Sequence, residues 1–217
     1  HLRVEEWLKS KKWKWATFQK EATAAYLSGQ SGMVNAPTGS GKTYSLWLPI
    51  LIRHINTSSK VTPKKGKGLQ VLWITPLRAL AKDLHRNMEL ACSEMDLAYT
   101  IGIRNGDTST KERNAQKKQM PHALIITPES LHLLFTQKNG ADAFKNLDTI
   151  VVDEWHELMG SKRGTQTELA LARLRTINPN LQTWGISATI GNLAQAQQVL
   201  LGMGQPLTES AVIKANT

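Results

Sequence analysis

The sequence predicts an α/β fold with a mostly parallel central sheet, and three observations predict it. Short runs rich in Val and Ile alternate with longer segments of helical period along the whole chain. Several of those runs are continuously apolar instead of alternating, as strands buried on both faces of a parallel sheet should be. Between two of them, Leu77, Leu80, Ala81, Leu84, Met88, Ala91 and Met95 recur at steps of three and four, the stripe of an amphipathic helix.

The expected strands, in order, are GMVNA (32–36), LQVLWIT (69–75), YTIGI (99–103), ALIIT (123–127), TIVVD (149–153) and QTWGIS (182–187). Asn192 followed by LAQAQQVLLG reads as a last helix, with Asn192 as N-cap and Gly202 just past its end. The stretch NTSSKVTPKKGKG (56–68) is a loop by composition, and no internal repeat is present. At 217 residues the chain fits one large domain or two small ones, with an ordinary apolar share of 41%.

Twenty-seven Lys and Arg against 17 Asp and Glu give a net charge of +10, which suits a polyanionic partner such as nucleic acid. A single cysteine, Cys92, excludes an internal disulfide. With no apolar run near 18 residues and no signal-like start, a soluble, cytoplasmic chain without a membrane partner is expected. A first residue that is His1 and not Met suggests a fragment of a longer protein.

A parallel sheet places its ligands at the carboxyl ends of the strands, so the residues that follow each run carry the functional expectation. After the first comes APTGSGKT (36–43). In a P-loop, glycines let the backbone curl so that its N–H groups face phosphates, and the N-terminus of the next helix adds positive potential. Thr38, Gly39, Ser40 and Gly41 would form that cradle, Lys42 would reach the β and γ phosphates of ATP, and Thr43 would coordinate Mg2+. The motif usually starts with Gly, and here it starts with Ala36.

VVDEWHEL (151–158) ends another expected strand, and its carboxylates and histidine could hold a metal, act as acid and base, or cap a helix. A zinc helix needs a second histidine four residues after the first, where Gly160 stands, so zinc is not the expected metal at this site.

With these stretches in order, the chain resembles the first RecA-like motor domain of superfamily 2 helicases, in which Ala commonly replaces the first P-loop Gly. APTGSGKT matches motif I, TPLRAL (75–80) motif Ia, GDTS (106–109) the short motif after it, TPESL (127–131) motif Ib, DEWH (153–156) motif II and SAT (187–189) motif III. None of the short motifs is specific alone; six in order at successive strand ends are. The wording of TPLRALAKDL, TPESLHLL, DEWHEL and GISATIGN is most similar to the Lhr (large helicase-related) group, and DEWHEL to its ligase-associated DEXH-box branch.

The resemblance implies a role for each site residue. Asp153 would hold magnesium largely through water, while Glu154 would orient and deprotonate the attacking water, a task of positioning and charge compensation suited to a carboxylate. His156 would couple nucleotide state to motif III through Ser187 or Thr189. Trp155 and Leu158 read as packing residues and Glu157 as a first-turn or surface residue.

Within residues 1–30, a Q-motif-like segment, Gln19 stands 23 residues before Lys42 and would bond the adenine edge, although WKWATFQ lacks the usual proline. Trp13, Trp15 and Phe18 would either pack the base or anchor a helix to the core. Thr75, Pro76, Leu77, Arg78, Gly106, Asp107, Thr127, Pro128, Glu129 and Ser130 match positions that line the backbone of one strand, with Glu129 available to cap its own helix instead. Single-stranded DNA or a tailed duplex is the implied partner, with RNA possible, since backbone contacts discriminate only where a 2′-hydroxyl is sensed.

Some 25 residues follow SATIGN, too few for the second RecA-like domain that would supply motifs IV to VI and an arginine finger. Residues 1–217 are therefore expected to be one RecA-like domain, weak in ATP binding and unable to unwind alone. The full protein would translocate on DNA from 3′ to 5′ and work in DNA repair, with repair proteins as possible partners. A non-unwinding translocase, an RNA helicase and a P-loop ATPase without nucleic acid remain the alternatives.

Overall fold

In a computed structural model, residues 1–58, 68–137, 140–188, 191–202 and 210–215 are described. Two N-terminal helices, α1 (Leu2–Ser10) and α2 (Thr17–Leu27), precede β1 (Gly32–Asn35) and α3 (Tyr44–Ser58). Then come β2 (Val71–Ile74), α4 (Arg78–Glu94), β3 (Ile101–Arg104), α5 (Thr110–Lys118), β4 (Ala123–Ile126) and α6 (Pro128–Phe135). A 3-10 turn (Gly140–Phe144) leads to β5 (Thr149–Val152), α7 (Trp155–Leu158), α8 (Lys162–Ile177), β6 (Gln182–Ser187), α9 (Leu193–Leu201) and β7 (Ala211–Lys214).

The strands lie in the order β3-β4-β2-β5-β6-β1-β7, and every pairing among the described residues is parallel. The interior strands are buried at every residue, whereas the edge strands β3 and β7 carry partly exposed positions. This explains the continuous apolar runs: each interior strand sends alternate side chains to two different cores. Val71, Trp73, Ile125 and Val151 pack under α1 to α4, while Leu72, Ile74, Ile126, Ile150 and Val152 pack under α6 to α9.

The α4 stripe is buried at Ala81, Leu84, Met88, Ala91 and Met95, but not at its start. Leu77 is the N-cap residue, in extended conformation and 54% exposed, because the chain has not yet turned toward the sheet there. Asn192 caps α9 by accepting a bond from the Gln195 N–H, and Gly202 ends the helix at φ 88°. The seventh strand, β7, was not expected: AVIK is short and only Ile213 is buried, and parallel pairing with β1 alone makes it a strand.

The strand order decides where the motif loops meet. The P-loop follows β1, DEWH follows β5 and SAT closes β6, and these three strands are neighbours. The turns after β2, β3 and β4 form a second contiguous group beside them. One carboxyl edge thus carries two adjoining clusters, as open parallel sheets arrange their ligand sites.

Candidate nucleotide and nucleic-acid site

The P-loop leaves β1 with Ala36 N–H bonded to the Ser187 carbonyl at 3.1 Å, so the loop starts against β6. Gly39 and Gly41 both have φ 81°, a backbone conformation that side-chain-bearing residues rarely adopt. Thr38 is exposed, and Ser40 and Thr43 are half-buried, leaving the loop open to a ligand. Lys42 is only 7% exposed, and its Nζ lies 2.7 Å from Glu154 Oε1 across the cleft. The two residues assigned to phosphate binding and water activation are thereby brought together, as an ion pair.

Gln19 joins the N-terminal segment to this loop. Its Oε1 accepts the Ala16 N–H at 3.0 Å and its Nε2 donates to the Gly41 carbonyl at 3.1 Å. Phe18 is core, and Trp13 is not: it is 47% exposed, with its ring centroid 5.6 Å from those of Trp7 and Tyr44. Tyr44 directly follows Thr43, so this aromatic group borders the P-loop. Trp13 also lines an open surface groove with Trp15, Lys12 and Lys20, away from the P-loop residues themselves.

Asp153 is 2% exposed; its Oδ1 accepts the Glu154 N–H at 3.0 Å and its Oδ2 accepts from Trp73 Nε1 at 3.3 Å. Burial, with the charge of Glu154 added, pushes its pKa up to about 6, and the Trp73 bond and Lys42 oppose the rise. Trp73 has no motif to announce it; it stands opposite Val151 across the β2–β5 pairing.

Glu154 adopts φ 47°, ψ 46°, the left-handed region, which costs a non-glycine residue about 1–2 kcal/mol. That conformation turns the chain sharply between β5 and α7. His156 Nδ1 then sits 3.1 Å from Ser187 Oγ and 3.4 Å from both the Ala188 N–H and Glu154 Oε2. Thr189, the other expected contact, lies outside the described residues. Trp155 and Leu158 are fully buried and Glu157 is exposed at the surface of α7.

The second cluster departs from expectation in part. Thr75, Pro76, Thr127, Pro128 and Ser130 are buried, so their side chains do not line an open surface. The reason is local bonding: Thr127 Oγ1 donates to Ser130 Oγ at 3.2 Å inside the first turn of α6, where Pro128 takes the initial position. Leu77, Arg78, Gly106 and Asp107 are exposed, and Arg78 pairs with Asp107 at 2.9 Å. Glu129 does not cap α6; it pairs with Arg163 Nε at 2.6 Å. Arg163, missed in the sequence because it falls between motifs, also donates from Nη1 to the Pro76 carbonyl at 3.2 Å.

Residues 16–196 match the DEAD/DEAH box helicase family. The chain belongs to that family. Among curated relatives of this helicase domain, ATP-dependent helicase Lhr-Core protein 2 of Thermococcus barophilus is 33% identical over 212 residues, covering 92% of this chain and 24% of that protein. The Lhr helicase/uracil glycosylase of Escherichia coli is 33% identical over 192 residues, covering 82% of this chain and 12% of its own length. The Mycobacterium smegmatis helicase Lhr, solved bound to ssDNA and AMP-PNP, superposes with a TM-score of 0.86 at 30% identity, covering 100% of this chain and 28% of that one. The domain is thus RecA-like and Lhr-like, and it spans 12% to 28% of these relatives' length.

Proposed function

We propose that this domain is the ATP-binding half of an ATP-dependent DNA helicase or translocase, binding Mg-ATP at the β5–β6–β1 edge and one DNA strand at the β3–β4–β2 edge. One observation carries the reading: the buried Lys42–Glu154 pair at 2.7 Å closes a cradle with two left-handed glycines, in a family of ATP-dependent helicases. The Mycobacterium relative was solved with ssDNA and a nucleotide analogue, which favours DNA over RNA as the strand.

The residues fit a magnesium ion. Asp153 offers a buried carboxylate and Thr43 a half-buried hydroxyl at the start of the P-loop helix, hard oxygen ligands of the kind magnesium takes alongside phosphate oxygens. When bound, the ion neutralises charge on the β and γ phosphates. Glu154, released from Lys42, orients the attacking water and accepts its proton, Lys42 holds the phosphates, and Gln19 would exchange its bonds to Ala16 and Gly41 for the adenine edge. His156 passes the state of Glu154 to Ser187.

By the same reading the 217 residues form one motor domain, and a second RecA-like domain elsewhere in the protein completes the hydrolytic site. DNA repair, 3′ to 5′ polarity and the ligase-associated branch belong to this proposal, resting on DEWHEL and its neighbours, and so does a cytoplasmic location, resting on the lack of an apolar run near 18 residues. Among the described residues no helix is long and apolar enough to cross a membrane. The test is ATP hydrolysis and strand displacement by the full-length protein with and without oligo(dT), beside Lys42→Ala. Stimulation by DNA that Lys42→Ala abolishes is expected. Hydrolysis indifferent to DNA would overturn the reading, and hydrolysis without strand displacement would favour a pure translocase.

A further inference from the structure

We infer that Arg163 is a positioning residue that ties the DEWH helix to the two turns gripping the nucleic-acid strand; the inference rests on the function proposed above. Two sets of contacts converge on it. Toward the strand, one guanidinium spans both turns, with Nε on Glu129 in the first turn of α6 and Nη1 on the carbonyl of Pro76 in the turn before α4. A planar fork can serve two acceptors at fixed angles, which an ammonium cannot.

Toward the nucleotide, the backbone of Arg163 is clamped to α7. Ser161 N–H and Oγ–H both donate to the Leu158 carbonyl, at 3.1 and 2.6 Å, and Ser161 Oγ accepts the Gly164 N–H at 3.1 Å. Gly164 packs so closely that a Cβ there would stand 2.0 Å from the Leu158 oxygen. Thr167 closes the set by donating to the Arg163 carbonyl at 2.8 Å.

The clamp ties α7 to the first turn of α8, and α7 begins immediately after Glu154. A shift of the DEWH helix when Glu154 exchanges Lys42 for its water is therefore delivered to Pro76 and Glu129 together. In this role Arg163 acts through Glu129 and Pro76, which its Nε and Nη1 bond, and not through a phosphate.

The experiment uses the full-length protein with Arg163→Gln, Arg163→Lys, Glu129→Gln and the double Arg163→Gln/Glu129→Gln variant. Hydrolysis is titrated with oligo(dT), and oligo(dT) affinity is measured against salt. For Arg163→Gln the half-saturating oligo(dT) concentration is expected to rise about tenfold and DNA-stimulated kcat to fall several-fold, while KM for ATP without DNA stays within about twofold. Arg163→Lys should recover part of the loss, and the double variant should be no worse than Arg163→Gln. The slope of log affinity against log salt should match the wild type, since no phosphate contact is removed.

A slope shallower by about 0.7 would make Arg163 a direct phosphate ligand and overturn the inference. Equal loss of DNA-free ATP affinity would make it merely structural, with the same consequence, and wild-type behaviour in Arg163→Gln would also refute it. Absence of any DNA stimulation in the wild type would instead sink the proposed function.

Discussion

Replacing Glu154 by Gln tests the electrostatics of the nucleotide cradle most directly. Lys42 is 7% exposed and ion-paired with Glu154 at 2.7 Å, so nucleotide phosphates would have to displace that carboxylate. Gln is isosteric and keeps an oxygen that can accept from Lys42, but it removes the charge. A hydrogen bond to a charged partner contributes about 1.5–3 kcal/mol and a neutral one about 0.5–1.5, so the free state loses roughly 1–1.5 kcal/mol. The bound state, with Lys42 on phosphate, loses little. Affinity should therefore rise about five- to twelvefold. ADP is the right probe, because it lacks the γ-phosphate that would repel Glu154 and add a second reason for tighter binding. The assay is a fluorescent ADP titration, with phosphate release measured in parallel. Hydrolysis should fall by about a hundredfold or more, since the proton acceptor is gone. Unchanged or weaker ADP affinity in a folded Glu154→Gln protein would refute the displacement argument.

Other residues make separate predictions. Trp155→Ala should destabilise the fold by about 3–5 kcal/mol in urea denaturation, because a fully buried indole and its bond to the Ala196 carbonyl at 2.9 Å are both lost. A loss below about 1 kcal/mol would mean that the pocket collapses. His156→Ala should leave ADP affinity unchanged and reduce stimulation of hydrolysis by DNA, since its Nδ1 bridges Glu154 and Ser187; an unaltered stimulation ratio in steady-state hydrolysis would discount that bridge. Burial beside Glu89 pushes the Cys92 thiol up to about 12, leaving about one in 10⁵ ionised at pH 7, so iodoacetamide should label it only after denaturation. Rapid labelling of the native protein, read by mass spectrometry, would contradict the buried placement.

The strand positions were legible because parallel strands buried on both faces leave a one-dimensional signature, and QTWGIS matches its strand exactly. The edge strand β7 was not, since an edge needs little apolarity and its identity comes from a partner 176 or more residues upstream. At the site, local motifs announced the P-loop and DEWH. Their mutual contacts were legible only through strand order, which no local stretch encodes: β1 and β5 flank β6, and β6 comes last of the three in sequence. Side-chain burial in the TPESL turn was not legible, because the Thr127 hydroxyl bonds the Ser130 hydroxyl within its own helix start, a pairing the motif does not announce. Arg163 was invisible for a related reason, its partners Pro76 and Glu129 lying in two other motifs.

Charge shows most clearly how far composition falls short of function. A net charge of +10 suggests free cations awaiting a polyanion, yet three of those on the carboxyl edge are already engaged: Lys42 with Glu154, Arg78 with Asp107, and Arg163 with Glu129. Exposed pairs of the last two kinds contribute about 0–1 kcal/mol each, so a phosphate can displace Asp107 at small cost and gain a bidentate guanidinium contact. The buried pair is different, because neither Lys42 nor Glu154 can be left uncompensated in a closed cradle. Phosphate must arrive at Lys42 as the carboxylate leaves, and the freed carboxylate becomes available to its water only then. On the proposed function, the ion pair would keep the placing of Glu154 conditional on nucleotide, while the exposed Arg78–Asp107 pair would leave Arg78 open to exchange.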